Sequence, residues 1–122
     1  MTVESFSKRD LDCLQTIIKY CDDIEYLTQI HGSDEEDFND NISLQYGCVF
    51  SLIQIGEYVK RLSSELKNNY PNVNWKYAAG MRDFVVHNYA DVNVSRIRTT
   101  SLNEIPLFKN DCLNILGKIY NL

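Results

Sequence analysis

With 122 residues, 44% of them hydrophobic and 24% charged, the chain is sized for one domain (residues 1–122) with a full core, and intrinsic disorder is excluded. A net charge of −5 excludes a broadly basic nucleic-acid-binding surface and leaves room only for a small local cleft or a basic partner. No run reaches membrane-spanning length and the N-terminus lacks the apolar centre of a secretory signal, so a cytoplasmic protein is expected.

Only five glycines and two prolines punctuate the chain, and no segment alternates at strand period. Long helices follow. The first is expected from about Lys8 to Gln29, where Leu11, Leu14, Ile17, Ile18, Cys21, Ile24 and Leu27 form one apolar stripe. Ser7 and Asp10 have the spacing of a capping box, with Asp a shorter stand-in for Glu. Gly32 can end this helix in a left-handed cap, and Ser33 or Asp34 can open the next. The acids that follow suit the dipole of a helix start better than a metal site.

The second helix reads as one long element from about Glu35 to Lys67, its stripe running from Phe38 through Ile42, Val49, Leu52, Gly56 and Val59 to Leu66. Tyr46, Phe50, Ile55 and Tyr58 widen that stripe, and a second copy of the chain is one way to bury the extra face. Gly56 marks a kink or a close helix crossing, and Glu57 a salt-bridge partner. Pro71 stops propagation, and Asn74 is placed to cap a third helix starting at Trp75 and carrying Arg82 through Tyr89. A last apolar segment runs from Val94 to Leu122, interrupted near Pro106. The fold class is all-α, an up-and-down bundle of four to five helices.

Cys13, Cys21, Cys48 and Cys112 form no C-x-x-C pair and lie in apolar patterns, so buried free thiols are expected rather than a disulfide or metal site. The chemistry concentrates elsewhere. Arg82, Asp83, His87 and Tyr89 fall within eight residues, and His31 is the other histidine of the chain. On a helix Asp83 and His87, four apart, share a face, so the carboxylate can orient the imidazole. Arg82 and His87, five apart, lie about 140° from one another. Cleavage of RNA by its own 2′-hydroxyl needs a base, an acid and a cation beside the phosphorane. One chain offers one suitable histidine; a symmetric dimer through this helix offers two, with two arginines. A salt-bridged surface network is the alternative reading of the same residues.

The words Ile55-Gly56-Glu57-Tyr58-Val59-Lys60-Arg61-Leu62-Ser63, Tyr70-Pro71, Trp75, Ala79-Gly80-Met81-Arg82-Asp83 and His87-Asn88-Tyr89 resemble the HEPN superfamily, and within it the HepT-like branch. The resemblance implies a dimeric helical bundle acting as a metal-independent ribonuclease toxin, with Arg82 and His87 catalytic, Asp83 supporting and no cofactor. It implies as partner a minimal nucleotidyltransferase antitoxin of the MNT type, which in some systems transfers AMP to the tyrosine matching Tyr89. The chain departs from the pattern at Asp83, where many relatives carry Asn, and at Arg96-Ile97-Arg98, where they carry an apolar pair. Arg96 and Arg98 are therefore candidate contacts for RNA or an acidic partner, or solvated helix charges. A non-catalytic subunit that docks nucleotide or a nucleotidyltransferase is the alternative function.

Overall fold

The computed structural model of the chain describes residues 7–90 and 93–120, with the backbone alone for residues 88–90. Every element among them is helical: α1 (Lys8–His31), α2 (Glu35–Asp40), α3 (Ile42–Arg61), α4 (Ser64–Asn69), α5 (Trp75–Ala79), α6 (Met81–Ala90), α7 (Val94–Thr99), a π-helical turn (Thr100–Glu104) and α8 (Ile105–Tyr120). Contacts of Asp10 with Ser63, of Tyr20 with Phe50 and of Leu27 with Gly47 show that α1 and α3 run antiparallel. Lys109 pairs with Asp22 and Glu25, so α8 begins beside the C-terminal half of α1. The α5–α6 pair packs against α3 at Gly56. The expected up-and-down bundle is thus built on α1, α3, α5–α6 and α8.

The core is the meeting of their apolar stripes. Leu14, Ile17 and Ile24 of α1, Leu52, Ile55 and Val59 of α3, Met81 and Val85 of α6, and Cys112 and Ile115 of α8 are all buried. Each large aliphatic side chain withdrawn from water contributes about 1.5–3 kcal/mol, which drives helices of modest intrinsic stability together.

The expected single helix over Glu35–Lys67 is three helices. Asn41 adopts an extended conformation (φ −118°, ψ 98°), and its side chain accepts from the Leu44 amide at 2.9 Å, opening α3. Ser63 does the same for α4, accepting from the Leu66 amide at 3.1 Å. Both residues compete with the helix through short polar side chains that bond the local backbone. The break before α3 is bridged by buried Gln45, which donates to the carbonyls of Phe38 and Asn39 at 2.9 and 3.1 Å. Asp34, not Ser33, caps α2, accepting from the Asp37 amide at 2.8 Å.

Three further boundaries differ. Gly32 has positive φ, but at φ 94° and ψ 153° it lies outside the left-handed helical well, in a region open essentially to glycine alone. A Cβ there would also collide with the Asp37 carboxylate. The helix after Asn74 breaks once, at Gly80 (φ −80°, ψ 4°), which separates α5 from α6. The interruption near Pro106 is the π-helical turn, closed by the Ile105 amide donating to the Thr100 carbonyl.

Asp10 departs most from its expected role. Ser7 accepts from the Asp10 amide at 3.2 Å, as half of a capping box. The Asp10 carboxylate instead reaches Ser63, accepting from its amide at 2.8 Å and its hydroxyl at 2.6 Å. Asp10 is 2% exposed, so this charge is solvated by the α3–α4 junction rather than by water. It clamps the start of α1 to the end of α3. Asp10→Ala is expected to lower stability by about 2–3 kcal/mol, the scale of hydrogen bonds to a charged group, read as a fall in the urea midpoint. A midpoint equal to that of the parent protein contradicts the clamp.

Candidate functional site

The site is built from the backbone of α3 outward. A Cβ placed on Gly56 would lie 3.0 Å from the Arg82 nitrogen, 3.2 Å from the Met81 Cβ and 3.3 Å from the Ala78 carbonyl oxygen. The close crossing expected at Gly56 is therefore the seat of α6. Met81 and Val85 pin one side of that helix into the core. At about 100° per residue, Arg82, Val86, Asp83 and His87 then occupy the opposite arc. All four are exposed.

Arg82 and Asp83 form an ion pair at 3.7 Å, with side-chain exposures of 54% and 79%. The ion pair described for Asp83 is thus to its neighbour Arg82, which makes the carboxylate a counter-ion within the site. Exposed pairs of this kind contribute little to stability. His87 follows one turn after Asp83 on the same exposed arc. Tyr89 continues the helix, and its side chain lies outside the described residues.

Arg96 is exposed and Arg98 half-buried, and each has a contact within the chain. The Arg96 guanidinium sits 5.5 Å from the centre of the Phe84 ring, and Arg98 Nε donates to the Ser33 carbonyl at 2.9 Å. Phe84 also meets Tyr77, ring centres 5.9 Å apart, and the Tyr77 hydroxyl donates to Glu104 Oε1 at 3.0 Å. Burial pushes the Tyr77 phenol up from its ordinary value, and Glu104 adds to the effect. This support behind α6 joins residues 27 positions apart, a separation at which sequence pattern carries no signal. Glu57 pairs with Lys60 at 3.5 Å, the salt-bridge role read for it.

A second surface borders α6. Ile42, Tyr46 and Phe50 recur every fourth residue along α3 and are 57%, 56% and 55% exposed. Their row lies between the side of α3 that meets α6 at Gly56 and the side that meets Leu27 of α1 at Gly47. Val86 on α6 is also exposed. Of the four apolar residues read as widening the α3 stripe, Tyr46 and Phe50 remain exposed, Ile55 is buried, and Tyr58 packs against Tyr20.

All four cysteines are free and buried. Burial, with Asp22 adding to it, pushes the Cys21 thiol up to about 12, and burial pushes Cys48 up to about 11. Burial also raises Cys112. Protonated thiols are poor nucleophiles, so the buried cysteines are unreactive. Among the described residues no group of three His, Cys, Asp or Glu side chains is arranged to hold a metal ion, and no helix is long and apolar enough to cross a membrane.

The family model described as "Ribonuclease HepT-like" matches residues 17–115. A protein of Methanocaldococcus jannaschii named as a candidate RNase is 34% identical over 113 residues, 92% of each chain. Another so named, from Caldanaerobacter subterraneus subsp. tengcongensis, is 37% identical over 105 residues, covering 86% of this chain and 92% of that one. A Thermococcus cleftensis protein named "Probable ribonuclease HepT" is 32% identical over 74 residues, covering 61% and 67%. No solved structure matches.

Two outcomes check the site. Gly56→Ala is expected to cost about 1–3 kcal/mol, because backbone rather than a flexible side chain must give way. The amide NMR signals of α6 should shift with it; an unshifted spectrum at parental stability contradicts the seating. The neutral thiols favour the fold, so their share of stability is complete below the ordinary value of 9.0 and is lost as pH rises toward about 11 and 12. The urea midpoint should fall over that window, less so in Cys48→Ala; equal falls in the two proteins contradict this.

Proposed function

Because the chain belongs to the HepT-like ribonuclease family, we propose that it is an endoribonuclease whose catalytic pair is Arg82 and His87. One observation carries this reading: guanidinium and imidazole stand exposed on a single helix whose other side is seated backbone-to-backbone on α3. Rigid placement of exposed reactive groups is what a catalytic surface requires and what a chance surface network lacks.

The reaction is cleavage by the RNA's own 2′-hydroxyl. A neutral His87 imidazole takes the 2′-hydroxyl proton, and the oxygen attacks the adjacent phosphorus. Charge on the phosphorane is met by the Arg82 fork. The P–O5′ bond breaks as a protonated imidazole gives its proton to the leaving oxygen. The products are a 2′,3′-cyclic phosphate and a 5′-hydroxyl. Acid and base are needed together, so two copies of the chain face each other through α6, each supplying one His87. The exposed Ile42, Tyr46 and Phe50 beside α6 support such a pairing, which would cover them. Asp83 holds Arg82 until phosphate displaces it and, one turn before His87, positions that imidazole.

In this reading the ribonuclease is the toxin of a two-component system and works without a metal. Its antitoxin is a minimal nucleotidyltransferase, and Tyr89 is the acceptor of AMP. An added nucleotide brings bulk and negative charge to the surface that must admit an RNA phosphate.

Purified protein in excess chelator is expected to cut single-stranded RNA and leave 2′,3′-cyclic phosphate ends. Arg82→Ala and His87→Ala should each lower kcat/KM by about 100- to 1,000-fold with unchanged helicity. Phe50→Asp should shift the protein to monomer and reduce cleavage in parallel. Absence of cleavage by the parent protein, together with tight binding of a nucleotidyltransferase, transfers the assignment to a non-catalytic docking subunit.

A further inference from the structure

The acidic excess of this chain is concentrated at one end. Asp34, Glu35, Glu36, Asp37 and Asp40 lie in a stretch with no base, and these five acids equal the entire net charge of −5, so the rest of the chain is balanced. They sit where α1 ends and α3 begins. The opposite end of the α1–α3 pair carries Lys8 and Arg9 at the start of α1 and Lys60 and Arg61 at the end of α3. At 1.5 Å per residue the two ends are roughly 30 Å apart along α1. That is several screening lengths, so those distant acids do not reach the cations; nearer ones offset them in part, with Lys8 paired to Asp12, Lys60 to Glu57, and Asp10 held by Ser63.

Lys8, Arg9, Asp12, Thr16, Tyr58 and Arg61 line an open groove of about 560 Å³ at the basic end. Its one carboxylate, Asp12, is taken by Lys8 at 3.2 Å. Arg9 and Arg61 form no ion pair among the described residues. The Arg61 guanidinium lies 4.5 Å from the centre of the Tyr58 ring. From Tyr58 an aromatic row continues to Tyr20 (6.3 Å) and on to Phe50 (6.0 Å), with Lys19 4.5 Å from the Tyr20 ring. Phe50 lies on the face of α3 that the proposed dimer covers, so Arg9, Arg61, Tyr58 and Tyr20 stay outside the pairing and lead up to its edge.

We infer that this groove, with the Tyr58 and Tyr20 rings, forms a second RNA-binding surface, holding single-stranded RNA that flanks the scissile phosphate. The inference rests on the nuclease reading and extends it to the substrate class, unpaired RNA of several nucleotides. The two arginines, which form no ion pair among the described residues, take phosphates, and the Tyr58 and Tyr20 rings take unpaired bases. A base inside a duplex presents no free face to such a row. An acidic protein segment would use the arginines and leave the rings unused.

The test uses the Arg82→Ala/His87→Ala chain, which binds without cutting, and fluorescently labelled single-stranded RNA of about 12 nucleotides. Adding Arg9→Gln and Arg61→Gln should weaken binding at least tenfold and make the plot of log affinity against log salt shallower by about 1.4, for two phosphate contacts. In the catalytically intact chain the same two substitutions should lower kcat/KM on the long RNA at least tenfold and leave cleavage of a trinucleotide unchanged. Arg9→Lys with Arg61→Lys, carrying the charge without the planar fork, should restore the salt slope but only part of the affinity. Parental affinity and slope in a Gln variant of native helicity overturn the inference, as does equal binding of duplex RNA or of polyglutamate. If the parent chain binds RNA through Arg9 and Arg61 but never cuts it, the surface stands and the nuclease reading falls. If the Gln variant cuts long RNA at the parental rate, the nuclease reading stands and the surface falls.

Discussion

The contact on which this molecule depends is the one at Gly56, where the backbone of α3 meets the backbone of α5 and α6 with no side chain between. Everything that makes α6 useful follows from it. A helix held 3.0 Å from where a Cβ would be cannot rotate without a clash. Its buried residues, Met81 and Val85, then fix the exposed arc on the far side, and that arc carries Arg82, Asp83, Val86 and His87. The Tyr77–Phe84–Arg96 packing, tied to Glu104, braces the same helix from beside the π-helical turn. The Asp10–Ser63 clamp plays the matching part at the end of α3.

The acidic total of the chain and a role in handling RNA are compatible once the charges have positions. Acids gather at one end of the α1–α3 pair, where several serve the start of α2. At the other end acids and cations nearly balance, and Arg9 and Arg61 lie there in a groove with the Tyr58 ring. Screening over such distances lets each end act by itself. A count over the whole sequence reports neither end.

The helical class and the bundle were legible because apolar residues recur at three- and four-residue steps through most of the chain. Ser7, Asp34, Asn41, Ser63, Asn74 and Asn93 all cap helices by one mechanism, each standing immediately before the helix it opens. Asn41 and Ser63 were nevertheless passed over, because the apolar pattern of Phe38, Ile42, Leu62 and Leu66 continues through the breaks. Helices that restart with the same face inward keep that periodicity. Of the expected capping box at Ser7 and Asp10 only the Ser7 half forms, for a related reason: a carboxylate three residues along can serve the local backbone or a distant partner, and spacing does not choose between them. Arg96 and Arg98 looked free in sequence because the Phe84 ring and the Ser33 carbonyl that engage them belong to other segments.

The sequence alone determined the all-α class, the burial of the four cysteines, and the presence of an Arg-x4-His pair on one helix. These properties are local: they depend on side-chain type and on a period of 3.6 residues. Tertiary structure decided the rest. Which arc of α6 faces water depends on what its other arc packs against. That Asp10 binds Ser63, that Glu104 supports Tyr77, and that Arg9 and Arg61 share a groove are facts about residues far apart in the chain. Hydrophobic burial brings such residues together without regard to their order, so only the folded chain can say which polar groups become neighbours.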